Sequence, residues 1–253
     1  MEFEFYHYAV FVLTGLCAGF VDSIAGGGGI LTMPVLLAMG IPPHLALGTN
    51  KLQASFGSFT AAVNYSRKGL VSLSGIWMPV LFTAIGATIG TVSIQMLSAD
   101  FLSVIIPFLL AGIFFYTLLT PQLGQEDRKA RMGKHAFYVA AGLLLGFYDG
   151  FFGPGTGSFW TIGLVLLIGL DLKKATAFTK IVNFTSNIVA LIAFIIGGNV
   201  IFTIGILMGA GQMTGAYLGS RMVILRKVNF VRSVFLAVVG VTLIKLIWDT
   251  VFG

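Results

Sequence analysis

The stretch Gly19-Phe20-Val21-Asp22-Ser23-Ile24-Ala25-Gly26-Gly27-Gly28-Gly29 returns in altered form as Gly146-Phe147-Tyr148-Asp149-Gly150-Phe151-Phe152-Gly153-Pro154-Gly155. In each copy an apolar run ends in an aspartate and then meets a glycine-rich break. Working outward, and after a two-residue drift, Ala46 aligns with Ala175, Lys51 with Lys180 and Val71 with Val200. Further on, Gly86-Ala87 aligns with Gly215-Ala216, Gly90 with Gly219 and Phe101 with Phe230. Matches that hold one register across most of each half mark an internal duplication.

The duplicated unit is built for lipid. Of 253 residues, 57% are hydrophobic and 9% are Asp, Glu, Lys or Arg, with 33 Gly and 23 Phe. Soluble domains carry roughly 25% charged residues. Apolar runs near the length of a membrane span recur from Phe5 to Phe252, and the mean hydropathy is +0.97. This excludes a soluble enzyme, a nucleic-acid binder and a secreted domain. The net charge of +6 is the ordinary consequence of basic cytoplasmic loops in a membrane protein. Cys17 is a single cysteine within an apolar stretch, so no disulfide is expected. Glu2 and Glu4, with no basic residue before the first apolar run, argue for a retained membrane segment rather than a cleaved leader.

Breaks at Gly, Pro and charge divide the chain into segments at 5–22, 28–41, 44–66, 73–97 and 101–120, then 136–149, 155–170, 174–197, 201–220 and 230–252. The expected fold is an all-α integral membrane protein of two five-segment repeats. Residues 1–121 and 136–253 form the repeats, and 122–135 the linker. The first two segments of each repeat read as short, broken or re-entrant.

Charge placement predicts that the repeats have inverted topology. Arg67 and Lys68 follow segment three of the first repeat, whereas Arg221, Arg226, Lys227 and Arg232 follow segment four of the second. With Arg128, Lys129, Arg131, Lys134, Lys173 and Lys174, they share one side if each repeat crosses an odd number of times. The positive-inside rule then makes the linker cytoplasmic and puts both termini outside. Gly86/Gly90 and Gly215/Gly219, spaced by four, read as close helix packing.

Topology leaves Lys51, Lys180 and Lys245 unexplained. Lys245, one turn before Asp249, snorkels or pairs with it. Lys51 and Lys180 lie inside segment three of their repeats, where a charge costs about 2.5–3.5 kcal/mol on insertion scales. The duplicated Asp22 and Asp149 are their natural partners, either as structural ion pairs or as carriers of a coupling proton. Gly26, Gly27, Gly28 and Gly29 lead into a helix expected near Ile30; Gly153, Gly155, Thr156 and Ser158 lead into one near Phe159. Backbone N–H groups converging at a helix N-terminus beside a buried lysine suit an anion. Asn50 and Gln53 share one face of their segment, and Asn183 and Asn187 share one face of theirs, so the amides are expected to line a polar cavity.

Other chemistries lack their residues. No strand precedes either glycine stretch and no Gly-x4-Gly-Lys-Ser/Thr occurs, so no nucleotide site is expected. His7, His44 and His135 lie near segment ends and are not duplicated, which argues against a catalytic Ser–His pair and a metal site. No catalytic residue, metal or cofactor is expected.

The motifs Gly19 to Gly29, Gly48-Thr49-Asn50-Lys51-Leu52-Gln53 and Gly146 to Pro154 are similar to those of the TauE/SafE sulfite-exporter family, and the resemblance covers nearly the whole chain. It implies a bacterial inner-membrane permease for small anions, often sulfur oxyanions or organosulfonates. The expected function is therefore secondary transport of such an anion by alternating access, with membrane lipid as surroundings and no nucleic-acid partner. The alternatives are a passive anion channel using the same residues and a non-transporting membrane scaffold. The apolar surfaces facing lipid and those facing a second copy look alike in sequence, so a homo-oligomer stays open.

Overall fold

The computed structural model describes residues 4–71, 75–102, 104–106 and 129–226. Segments 107–120 and 230–252, the linker residues 122–128, and Lys227, Arg232, Lys245 and Asp249 lie outside the described residues. Those described are helical, with no strand among them.

The helices are α1 (Phe5–Ala25), α2 (Gly28–Ala38), α3 (Pro43–Arg67), α4 (Trp77–Gln95), α5 (Lys134–Phe151), α6 (Thr156–Gly163), α7 (Leu172–Ile196) and α8 (Phe202–Leu225). α1, α4 and α7 are long and apolar enough to cross a membrane. The first segment is longer than the sequence reading of 5–22: α1 runs 21 residues, past Asp22 to Ala25. Nothing between Asp22 and Ala25 breaks a helix, and the stop comes only at Gly26, which takes the left-handed conformation at φ 74°. The second segments are short. α2 spans 11 residues with Pro34 inside it, and the 8 residues of α6 continue as a π-helical turn over Leu164–Ile168. Both begin earlier than Ile30 and Phe159, because Gly28, Gly29, Thr156 and Ser158 already belong to their first turns. At α7 the Asp171 carboxylate accepts from the backbone N–H groups of Lys173 at 2.9 Å and Lys174 at 3.0 Å, capping the helix start.

Small residues set the packing. α1 lies along α8, and α4 along α5. A Cβ at Gly19 would stand 2.2 Å from the Gln212 carbonyl oxygen, and one at Gly215 2.0 Å from that of Leu16. Across the other pair, a Cβ at Gly90 would stand 2.0 Å from the Phe147 carbonyl oxygen, and one at Gly146 2.6 Å from that of Thr83. Gly86, Gly90, Gly215 and Gly219 thus serve the close helix approach expected of them. Contacts advance in the same direction along both pairs. Val12, Leu16 and Phe20 meet Gly211, Gly215 and Gly219 in turn, as Leu143 and Phe147 meet Gly86 and Gly90. α3 and α7 pack on each other and on the outer pairs.

The two ends differ in charge. Lys173 Nζ at the start of α7 donates to the carbonyl of Ile224 at the end of α8, 3.3 Å away. Arg67, Lys68 and Arg221 share one cavity wall there, and Lys134 and Lys174 line a neighbouring cavity. At the opposite end, Ile201 N donates to Thr49 Oγ1 at 3.0 Å, Asn199 Nδ2 to Gln95 Oε1 at 3.3 Å, and His44 Nε2 lies 3.3 Å from the Ile94 carbonyl. None of these contacts involves a Lys or Arg.

Candidate functional site

α3 and α7 bury polar side chains that lipid would reject. Lys51 is 1% exposed and Lys180 0%. A charge so buried needs a partner, and each lysine finds it in the other half of the chain. Lys51 Nζ donates to Asp149 Oδ1 at 2.7 Å and also to the Asp149 carbonyl. Lys180 Nζ donates to Asp22 Oδ2 at 3.0 Å.

The helix ends explain what each lysine meets. At the C-terminus of α5 the N–H groups of Phe152 and Gly153 both donate to the Tyr148 carbonyl, at 2.8 and 3.1 Å. The Asp149 carbonyl is left for the Lys51 ammonium, a cation at the negative end of the helix. Gly153, at φ 101°, leaves room for it, since a Cβ there would lie 2.6 Å from Lys51 Nζ. In α1 the N–H of Gly26 takes the Asp22 carbonyl at 2.8 Å, and Lys180 has only the carboxylate. The Asp149 carboxylate also accepts from Ser186 Oγ, whereas Asp22 Oδ1 accepts a long 3.5 Å bond from Gly28 N.

The two glycine-rich breaks touch backbone to backbone. A Cβ at Gly26 would stand 2.5 Å from Gly157 Cα, and one at Gly157 would stand 2.6 Å from Gly26 Cα. Ser158 clasps them: its N–H donates to the Gly26 carbonyl at 3.1 Å and its Oγ to that of Ala25 at 2.8 Å. Tyrosines hold both ends, Tyr65 donating to the Ser23 carbonyl and Tyr148 to that of Pro154, each at 2.7 Å.

Around the clasp lies a cavity of about 30 Å³, a volume suited to water-sized guests. Asp22, Gly26, Gly27, Gly28, Gly29, Asn50, Lys51, Asp149, Gly153, Gly155, Thr156, Asn183 and Asn187, all expected from sequence, line it. Ser158, Lys180 and Gln53 are not on its wall. Ser158 is spent on the clasp, and Lys180 stands behind Asp22. Gln53, fully buried, donates to Asn50 Oδ1 at 2.7 Å, and Thr32 Oγ1 donates to the same oxygen at 2.6 Å, so these two orient Asn50. Part of the expected N–H cradle is also committed: Gly26, Gly153, Thr156 and Ser158 donate to backbone carbonyls. The N–H groups of Gly27, Gly29, Gly155 and Gly157 have no acceptor among the described residues.

Gln212 also lines the cavity and was missed in the sequence. It is 1% exposed, and its Oε1, like Asn183 Oδ1, has no hydrogen-bond partner among the described residues. A lone amide within the apolar run of α8 was a signal, but it is not duplicated and so fell outside the repeat comparison.

Apolar membrane-length helices around a buried polar centre define the class, an integral membrane protein of the transport type. The family model described as "Sulfite exporter TauE/SafE" matches residues 11–246, and the chain belongs to that family of membrane transporters. It is 45% identical over 241 residues to a "Probable membrane transporter protein YfcA" of Escherichia coli (strain K12), covering 95% of this chain and 90% of the relative. A "Probable membrane transporter protein" of Haemophilus influenzae is 41% identical, covering 95% and 94%. The "Probable membrane transporter protein ORF9" of Sinorhizobium sp is 42% identical, covering 98% and 95%. No solved structure matches the chain.

Proposed function

We propose that this protein is a secondary transporter that carries a small anion, a sulfur oxyanion or organosulfonate, across the bacterial inner membrane by alternating access. The observation that carries the reading is the pair of buried ammonium groups, each tied to an aspartate of the opposite half, beside glycine breaks where the N–H groups of Gly27, Gly29, Gly155 and Gly157 have no acceptor among the described residues. An oxyanion entering there meets N–H donors, amides and two cations in a water-poor site, where such bonds are strong. The cavity of about 30 Å³ admits a sulfonate only as the lysines turn from their aspartates toward it. Asp22 and Asp149 then hold the lysines between cycles, and they are the groups that would carry a coupling proton.

Residues 1–121 and 136–253 serve as the two repeats, in inverted orientation, around the linker 122–135. Supporting this are the reciprocal packing of α1 on α8 and α4 on α5, and the gathering of Arg67, Lys68, Lys134, Lys173, Lys174 and Arg221 at one end. That end is cytoplasmic by the positive-inside rule, and the termini are outside. Alternating access draws support from unequal ends. At the basic end a cavity of about 380 Å³ opens between Val71, Trp77, Tyr138, Leu170 and Phe178. The repeat register aligns Val71, Tyr138 and Leu170 with Val200, Phe11 and Ile41, which pack together in the core at the other end. Exchange of the two packings opens the site to one side and then the other.

The test is flux in proteoliposomes, with a thermal-shift screen of sulfite, thiosulfate, taurine, sulfoacetate and carboxylate controls. Sulfur oxyanions stabilise the wild type and are transported; the Lys51→Met/Lys180→Met variant folds but loses both properties. Wild-type flux in that variant removes the site assignment.

A further inference from the structure

A second basic site lies away from the central cavity, at the seam between the ends of α3 and α8. A cavity of about 380 Å³ there is lined by Asn64, Arg67, Lys68, Tyr217, Arg221, Ile224 and Leu225. Three cations from the ends of two helices converge on it, and among the described residues no acidic side chain forms part of its wall. Like charges brought together without a counter-charge repel one another, so the arrangement favours an anion between them. Two guanidinium groups offer the planar forked donors that match phosphate oxygens. Asn64 donates through Nδ2 to Ser220 Oγ at 2.9 Å, tying the two helices together beneath the cations.

Charge alone suits any phosphate, but the surface below the cations suits an amphiphile. On α8, Ile206 is 53% exposed, Met213 42% and Tyr217 46%, and Arg221 continues the same face one turn beyond Tyr217. Their spacing of seven, four and four residues makes a single stripe along the helix. Leu225, 69% exposed, borders the cavity. An apolar stripe on a membrane helix lies against acyl chains, and it ends at three cations at the height where lipid phosphates sit. We propose that this cavity binds the headgroup phosphate of an anionic phospholipid, whose acyl chains lie along Ile206, Met213 and Tyr217. Basic residues at this end satisfy the positive-inside rule wherever they stand. Their convergence on one cavity above an exposed apolar stripe is what the lipid adds.

The experiment uses the full chain, delipidated in detergent, and reads the melting temperature with added phosphatidylglycerol, phosphatidylcholine or inorganic phosphate. Phosphatidylglycerol is expected to raise the melting temperature of the wild type by several degrees, and the other two to leave it within about a degree. Arg67→Gln/Arg221→Gln loses the shift, while Lys129→Gln, outside the cavity wall, keeps it. The proposal is overturned by an equal shift with phosphatidylcholine, by phosphate alone reproducing the shift, or by a shift that survives in the double variant. Should the double variant not fold, Arg221→Gln alone decides: native mass spectrometry then counts bound phosphatidylglycerol, expected to fall at least several-fold, with unchanged occupancy counting against the site. The readout involves no transported anion, so its failure leaves the transport reading untouched.

Discussion

Lys51–Asp149 and Lys180–Asp22 occupy matching places in the two halves, yet they are held differently. The Asp149 carboxylate is 6% exposed and accepts from Lys51 and Ser186, with the Asp149 carbonyl adding a further acceptor for the lysine. The Asp22 side chain is 15% exposed, accepts from Lys180 at 3.0 Å, and has only the 3.5 Å contact of Gly28 N besides. The difference traces to two places in the sequence. The register that aligns Lys51 with Lys180 aligns Gly57 with Ser186, so the hydroxyl beside Asp149 has no counterpart beside Asp22. The same register aligns Thr83 with Gln212, and the longer Gln212 fills the space at Gly57, where a Cβ would lie 2.4 Å from its Cγ. A duplicated motif has thus become one fixed ion pair and one loosely held pair. In the transport reading, Asp22 is the carboxylate better placed to release its lysine.

The largest effect expected is on the fixed pair. Asp149→Asn leaves the Lys51 ammonium buried without a counter-charge, a change that costs about 3–5 kcal/mol in buried pairs. Asp22→Asn likewise strands a buried ammonium, that of Lys180, but it removes the more exposed carboxylate with the fewer bonds, so its cost is expected at the lower end of that range, about 3 kcal/mol, with Asp149→Asn at the upper end. Denaturant titration of the detergent-solubilised protein, followed by tryptophan fluorescence, measures both. Equal losses would break the comparison, because the two pairs would then be held alike. Next in size is Ser186→Ala. A hydrogen bond to a charged group is worth about 1.5–3 kcal/mol, and its loss should bring Asp149 toward the behaviour of Asp22. If Ser186→Ala shifts the unfolding midpoint by less than the scatter between preparations, the hydroxyl is not what distinguishes the pairs.

Much of this was legible in the sequence, for identifiable reasons. Lys51, Lys180, Asp22 and Asp149 stand out because charge inside an apolar segment is costly and because each occurs twice. That Gly86, Gly90, Gly215 and Gly219 serve close helix packing followed from their spacing, though not which helices they join. Four features were not legible. The crossing of partners, each lysine reaching the aspartate of the other half, depends on which helices pack together, and hydrophobic periodicity carries no information on that. The extent of α1 past Asp22 was hidden because an aspartate looks like a helix end, although here it is paired in the last turn. The commitment of N–H groups at the glycine breaks depends on how each helix end turns, as at Gly26, Gly153 and Thr156, and for Ser158 on a contact between residues 132 apart in the chain. Gln212 escaped because a repeat comparison favours what is shared, whereas the asymmetry lies in what is not.

The smallest expected effect is also the sharpest probe of that asymmetry. Gly57→Ser combined with Gln212→Thr gives the first repeat the residue types that the second has around Asp149. The serine needs the shorter partner, since the Gln212 side chain occupies the space a Cβ would take. The introduced hydroxyl is expected to donate to the Asp22 carboxylate, as Ser186 does to Asp149, and to raise stability by about 1 kcal/mol. Gln212→Thr alone is the control, because it removes a buried amide oxygen that has no partner among the described residues and empties the space beside Gly57, two changes that alter stability without any new hydroxyl at Asp22. Only the excess of the double variant over the control measures the hydroxyl. In proteoliposomes the double variant should also transport more slowly than the control, since a firmly held Asp22 gives up Lys180 less readily. A double variant that gains nothing over the control in stability, and loses nothing in flux, would mean that the looser hold on Asp22 has no part in transport.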